Sequence, residues 1–471
     1  MKRETYIGGM GFKRIAALAL AAITMSSIWM ASAAFWDEGA VYGEEGEPDY
    51  SAAPNLTASS AVLIDMKSGK VLFEKEKDTP REPAGITKIM TTLLALENLQ
   101  PADVLTVDEQ TYSSDASGLY LLKDEEINVD NLLYSIMLPM ENDAAAPIAK
   151  AVDGSVEAFV NRMNNRAAEL DMLNTHFVNP NGNHVDGQQS TAYDLALLTR
   201  EAMKNENFRR YASTHEYTLP ASNKQKARLI RNANKLLYED SQKVSVYGQK
   251  RSILCEGIIG VKTGYTAQAG NCIVAAVSRG GMDLIAVVLG SGSKMVYADA
   301  LEMIEYGFHH YENMAVFTKG GKASEIPVTG GKADLVNAVF TEDVNAAVPI
   351  GTAPDTLDIR VTVPESIDAP VTAGAIVGKA SAYLGEEKLG EVNLATETEV
   401  DKTEIRKLFN ASGKVLSVVV KVVIGIAAVL VLWIVITLVR SERRKRSRRR
   451  RRMYKVNSGT REVKRIKRIK R

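Results

Sequence analysis

The hydrophobic positions of this chain form two long apolar runs with shorter, regularly patterned segments between them. Near the N-terminus, Ile15 to Met30 is apolar, with Lys13 and Arg14 ahead of it and Ala31-Ser32-Ala33-Ala34 behind. A basic flank, an apolar core and an A-x-A site predict a secretory signal peptide over residues 1–33. Thr24, Ser26 and Ser27 make this run too polar for a comfortable spanning helix, and an uncleaved anchor is the alternative. Near the other end, residues 422–439 carry no charge. Extending back to Val415 adds only Lys421, whose long stem lets its amine reach the interface. About 20 apolar residues span a bilayer, so residues 415–439 read as a transmembrane helix.

Between the runs the period changes several times. Ala61 to Asp65 and Val71 to Glu74 flank a Gly-containing turn, which predicts a β-hairpin. Ile86, Ile89, Met90, Leu93 and Leu94 have helical spacing, and residues 128–170 are mostly helical by period. Asn179 to Gly187, rich in Asn and Gly, reads as loop, and Thr191 to Asp194 as a capping box opening an apolar helix. Three strand-like runs follow, 257–262, 271–278 and 283–289, separated by glycines as in an antiparallel meander. A helix over 297–311 closes the unit. Strands at both ends with helices between give an α+β domain over residues 55–312. Residues 315–396 alternate around Gly and Pro with little helical signal, which predicts a small β-rich domain. Residues 34–54 read as an acidic linker and 397–414 as a charged stalk.

Composition changes the picture through its distribution. The 471 residues, 45% hydrophobic and 24% charged with two Cys, exclude disordered, collagenous and disulfide-scaffold classes. The net charge of +1 conceals +16 on residues 440–471 and −15 on the rest. A basic segment directly after a spanning helix belongs in the cytoplasm, so residues between signal and helix are expected outside the cell. The tail reads as a stop-transfer anchor on anionic lipid; nucleic acid is not the expected partner.

The candidate chemistry is at Lys262-Thr263-Gly264, placed at the end of the first meander strand. A cation, a hydroxyl and a glycine there present donors to an anionic ligand and let it approach the backbone. The chain resembles the low-molecular-mass penicillin-binding proteins, the serine-type D-alanyl-D-alanine carboxypeptidases that trim peptidoglycan. The resemblance runs from about Asn55 to Thr396. It is carried by Ala61 to Asp65, Lys88 to Thr91, Asn142 to Ala145, Asn174 to Pro180 and Gly260 to Thr266. It implies a penicillin-binding/serine β-lactamase-like fold, an antiparallel sheet flanked by helices, followed by the small β domain and the transmembrane helix.

The family pattern is S-x-x-K, S-x-N and K-T-G. The resemblance implies Lys88 as the general base, Asn142 as a substrate-positioning residue, and Lys262, Thr263, Gly264 and Tyr265 as the substrate-binding strand. The two serine positions are occupied otherwise: Gly85 stands at the nucleophile position and Met140 at the proton-relay position. Glycine has nothing to acylate and methionine cannot relay a proton. In a serine hydrolase, loss of the nucleophile removes about a million-fold in turnover. The chain therefore reads as a pseudoenzyme binding the D-Ala-D-Ala stem peptide of peptidoglycan. The alternatives are an active carboxypeptidase with another nucleophile, or a structural protein working through its basic tail. Thr87, Ser113, Ser114 and Ser117 are nearby hydroxyls, none with the one-turn relation to a lysine. No cofactor is expected, and without an H-E-x-x-H motif no metal either. Cys255 and Cys272 are symmetric about the Lys262–Gly264 turn and could face each other across a hairpin. Export permits that disulfide, with two buried thiols as the alternative.

Overall fold

The computed structural model of the protein describes residues 48–108, 119–139, 141–403 and 417–445. The chain divides into two compact units. The first runs up to Glu312 and takes back Val348–Ile350; the second contains Asn313–Ala347 and the chain from Gly351 onward.

The first unit is built on a five-stranded antiparallel sheet of β1 (Ser60–Asp65), β2 (Val71–Lys75), β3 (Ile258–Thr266), β4 (Gly270–Arg279) and β5 (Met282–Ser291). Their order is β2-β1-β5-β4-β3, so chain ends meet at the centre and β3 forms an edge. All six residues of β1 are buried, which requires a covering layer on each face. Val62, Ile64, Val274, Ala276, Ile285 and Val287 join the main apolar cluster with the helices that follow β2. Alternate positions face the other way. Leu63 and Leu284 receive α7 (Met295–His310) at Gly307, where an added Cβ would lie 2.6 Å from Leu284 Cδ1.

The helical layer contains α1 (Lys88–Asn98), α2 (Val129–Met137), α3 (Ala145–Asp153), α4 (Val156–Glu169), α5 (Ala192–Ala202) and α6 (Glu206–Ser213). Their starts follow from capping. Asn128, Ser155 and Thr191 accept from Asn131 N, Ala158 N and Asp194 N respectively, satisfying donors that the first turn leaves open. The sequence-predicted hairpin, meander and closing helix are all present, with each meander strand longer at one or both ends than its apolar run.

Two details depart from the sequence reading. Lys262-Thr263-Gly264 lies inside β3, which continues to Thr266, and the hairpin turns at residues 267–269. Cys272 is therefore opposite Gly264, while Cys255 precedes β3 altogether. Both cysteines are buried free thiols. The symmetry about the motif does not pair them because the motif is not the turn. The Cys255 thiol instead receives a hydrogen bond from Arg279 Nη2 at 3.4 Å.

In the second unit a six-stranded sheet contains β6 (Lys322–Thr329), β7 (Leu335–Phe340), β8 (Asp358–Thr362), β9 (Ile367–Asp368), β10 (Ile376–Leu384) and β11 (Glu387–Thr396). The order is β8-β10-β11-β7-β6-β9. A separate helix, α8 (Ser417–Lys445), is long and apolar enough to cross a membrane by length and composition. It continues past Val439 into the basic flank, because Ser441 to Lys445 contain no helix breaker.

Candidate active site

The site forms where the turn before α1, the loop after Asn179 and the edge strand β3 converge. Gly85 lies in a 3-10 turn, Ala84–Thr87, that runs directly into α1. Three residues make one 3-10 turn, so positions 85 and 88 fall on the same side. A Cβ placed on Gly85 would lie 3.6 Å from Lys88 Nζ, 3.3 Å from Thr263 O and 3.4 Å from Gly264 Cα. Position 85 thus lies between the lysine and the strand. Gly264 is needed for that approach: a Cβ there would be 2.7 Å from Gly85 N.

Lys88 is 1% exposed. Its Nζ donates to Asn142 Oδ1 at 2.7 Å and to Asn181 O at 2.6 Å. Asn142 Nδ2 in turn donates to Asn183 Oδ1 at 3.0 Å. The loop supplying Asn181 and Asn183 is fixed by its own polar bonds. Asn179 Oδ1 accepts from Gly182 N at 2.7 Å, Asn179 Nδ2 donates to Asn183 O at 2.8 Å, and Thr91 Oγ1 donates to Pro180 O at 2.6 Å. Gly182, at φ +83°, packs on the turn so tightly that a Cβ would be 1.9 Å from Ala84 O.

Lys262 is fully buried and its Nζ donates to Met137 O, at the C-terminal end of α2, at 3.0 Å. An amine at a helix C-terminus meets the negative end of the helix dipole. Thr263 is 9% exposed, whereas Tyr265 is 60% exposed on the outer part of β3. Asp143 is buried and accepts from Leu119 N and Leu121 N, fixing residues 119–121 beside the site.

Two buried amines close together oppose each other's charge. Burial pushes Lys88 down to about 7, and the Glu141 charge pulls the other way. Lys262 is held well below its ordinary value by burial and then by the neighbouring Lys88 charge. Half-buried Glu141 is raised by burial and by Asp143, against the pull of Lys88, Lys262 and Arg228. Near neutral pH the site therefore contains an amine able to accept a proton, one turn from a residue with none to give.

The structure brings together Gly85, Lys88, Asn142, Lys262, Thr263 and Gly264. Met140, and with it Ser113, Ser114 and Ser117, lies outside the described residues. Thr87 is buried, and its Oγ1 makes no hydrogen bond among the described residues. Asn181, Asn183 and the Met137 carbonyl are site partners that sequence reasoning missed. Two of the three contacts to the lysines are backbone oxygens, which any residue type supplies; only the density of Asn in residues 179–183 pointed to that loop.

Comparison with known proteins identifies the family. A family profile described as D-alanyl-D-alanine carboxypeptidase matches residues 48–293, and one described as penicillin-binding protein 5, C-terminal domain, matches residues 311–402. The chain is 31% identical over 351 residues to D-alanyl-D-alanine carboxypeptidase DacF of Bacillus subtilis, covering 73% of this chain and 86% of that one. It is 28% identical over 361 residues to DacA of Escherichia coli, covering 74% and 84%. Among solved structures, penicillin-binding protein 5 of Haemophilus influenzae is similar with a TM-score of 0.61 at 25% identity, over 74% of this chain and 99% of that one. By profile, identity and fold together, the chain belongs to the D-alanyl-D-alanine carboxypeptidase family.

Proposed function

We propose that this protein is an exported, membrane-anchored pseudoenzyme that binds the D-Ala-D-Ala end of peptidoglycan stem peptides without cleaving it. The observation that carries the reading is the empty direction at Gly85, whose Cβ vector ends 3.6 Å from Lys88 Nζ. The proton acceptor and its asparagine support remain, while the atom that would be acylated is absent. Acyl transfer by this family's route needs both a nucleophile and a base that takes its proton. Lys88 has the depressed basicity for the second role, and no hydroxyl at position 85 fills the first.

Binding is a separate requirement, and β3 supports it. As an edge strand it has backbone groups on its outer side that can pair with an extended peptide, with Thr263 and Tyr265 beside them. The relatives named above are D-alanyl-D-alanine carboxypeptidases, which makes the D-Ala-D-Ala terminus the expected ligand. Export rests on the signal-like residues 1–33. Anchoring rests on α8, and a cytoplasmic tail held to anionic lipid rests on the basic residues after it.

The test is to incubate the purified chain with a D-Ala-D-Ala-ending peptide and measure binding and free D-Ala separately. Saturable binding that needs the terminal carboxylate, with no D-Ala released, is the expected result. Catalytic release of D-Ala would overturn the pseudoenzyme reading, and absence of binding would overturn the ligand.

A further inference from the structure

The six-stranded sheet of the second unit treats its two edges differently. β9 is only two residues long and is followed by Pro370, features that discourage pairing with another strand. Pro364 follows β8 at the same spacing as Pro370 follows β9, but β8 is longer, at five residues. All five of its residues are exposed, and Asp358-Ile359-Arg360-Val361-Thr362 contains neither Pro nor Lys.

Its two faces carry different chemistry. Ile359 and Val361 pair in register with Ala382 and Ala380 of β10, which are fully buried. They therefore stand on the apolar face of the sheet, yet remain 41% and 36% exposed. On the opposite face Arg360 Nε donates to Asp358 Oδ2 at 2.8 Å, and the guanidinium lies 4.1 Å from the Tyr383 ring centre.

From Leu357 to Val361 the order is apolar, acid, apolar, base, apolar. Such a segment complements itself when it runs antiparallel to a copy. With Ile359 opposite Ile359 of a second copy, Asp358 meets Arg360 twice on one face and Leu357 meets Val361 twice on the other. A two-fold axis at Arg360 or Asp358 would instead set like charges opposite each other, which is unfavourable. Charge thus selects one register among the three closest.

We propose that β8 is a homotypic docking edge at which two copies of this chain pair antiparallel about Ile359, joining their second-unit sheets into one. The interface is isologous, as expected for a two-fold pair.

The test uses full-length protein in membranes, with the wild-type chain as background for its two buried cysteines. Ile359→Cys and, as control, Asp355→Cys are each treated with a short thiol–thiol cross-linker. In the proposed register, residues opposite each other are about 5 Å apart between Cα atoms. The two positions 355 would be offset by eight residues, about 27 Å if extended. Dimer from Ile359→Cys at least ten-fold above Asp355→Cys is the expected result. Adding Asp358→Arg or Arg360→Asp alone should reduce it, and the two together should restore it, since the swap rebuilds both cross-copy pairs. Equal dimer at 355 and 359, no dimer, cross-linking of position 359 to a different protein, or no rescue by the double swap would overturn the proposal.

Discussion

Lys88 Nζ and Asn142 Oδ1 lie 2.7 Å apart although 54 residues separate them, and neither contacts an acylable group at position 85. The amine and its amide partner hold this relation beside a position that carries no side chain. A buried amine depends on such partners, because leaving it unbonded costs the desolvation of the group without return.

Removing that partner should therefore be felt in stability. Asn142→Ala leaves Lys88 Nζ with Asn181 O as its acceptor among the described residues and should destabilise the first unit by about 1–3 kcal/mol. Asn142→Asp, which keeps an acceptor oxygen, should be affected less. Denaturant midpoints for the two variants, measured side by side, check the order.

The lowered basicity of Lys88 has a defined pH signature. Its folded value, about 7, lies below the ordinary 10.5, so the unfolded chain binds more protons between those limits. Stability from this group should rise with pH from about 7 to 10 and stay flat below 7, with a slope of up to about 1.4 kcal/mol per pH unit. Lys88→Met should remove that component of the slope. Unfolding free energies of wild type and variant at pH 7 and 9.5 test it through their difference; equal slopes would contradict the assignment.

Gly264 and Gly154 separate two reasons for glycine. At Gly264 an added Cβ would stand 2.7 Å from Gly85 N, so Gly264→Ala should displace β3 or the turn and destabilise by about 1–3 kcal/mol. Gly154 has open space around it and a φ of +76°, ending α3 in the left-handed conformation. Gly154→Ala should cost only about 1 kcal/mol, through the backbone alone. Thermal midpoints distinguish the two, and only the first should disturb the site.

The sequence made the sheet and helices of the first unit legible wherever burial imposes a period. The apolar run in β1 and the helical spacing from Ile86 to Leu94 are examples. It misjudged the β3–β4 hairpin because Lys262-Thr263-Gly264 looks like a turn by composition, whereas it is buried within the strand and the reversal comes at residues 267–269. The same misplacement suggested pairing Cys255 with Cys272. Of the site, Lys262 stands out as a cation at the end of a strand, while Gly85, Lys88 and Asn142 are reached only through the resemblance to the family's motifs. The acceptors Asn181 O and Met137 O could not be named either way, since a backbone carbonyl leaves no mark in the sequence and its position is set by tertiary packing.

The most direct measurement is intact mass after incubation with penicillin, because stable labelling at this site requires an acylable group at position 85. Wild type should show no adduct. Gly85→Ser restores an oxygen beside Lys88 and should acquire one, slowly. Its Cβ would sit 3.3 Å from Thr263 O, so β3 must yield slightly to admit it. Adding Met140→Ser should raise the yield further. A penicillin adduct on the wild-type chain at a rate near that of the double variant would contradict the account, since another side chain would then be the nucleophile.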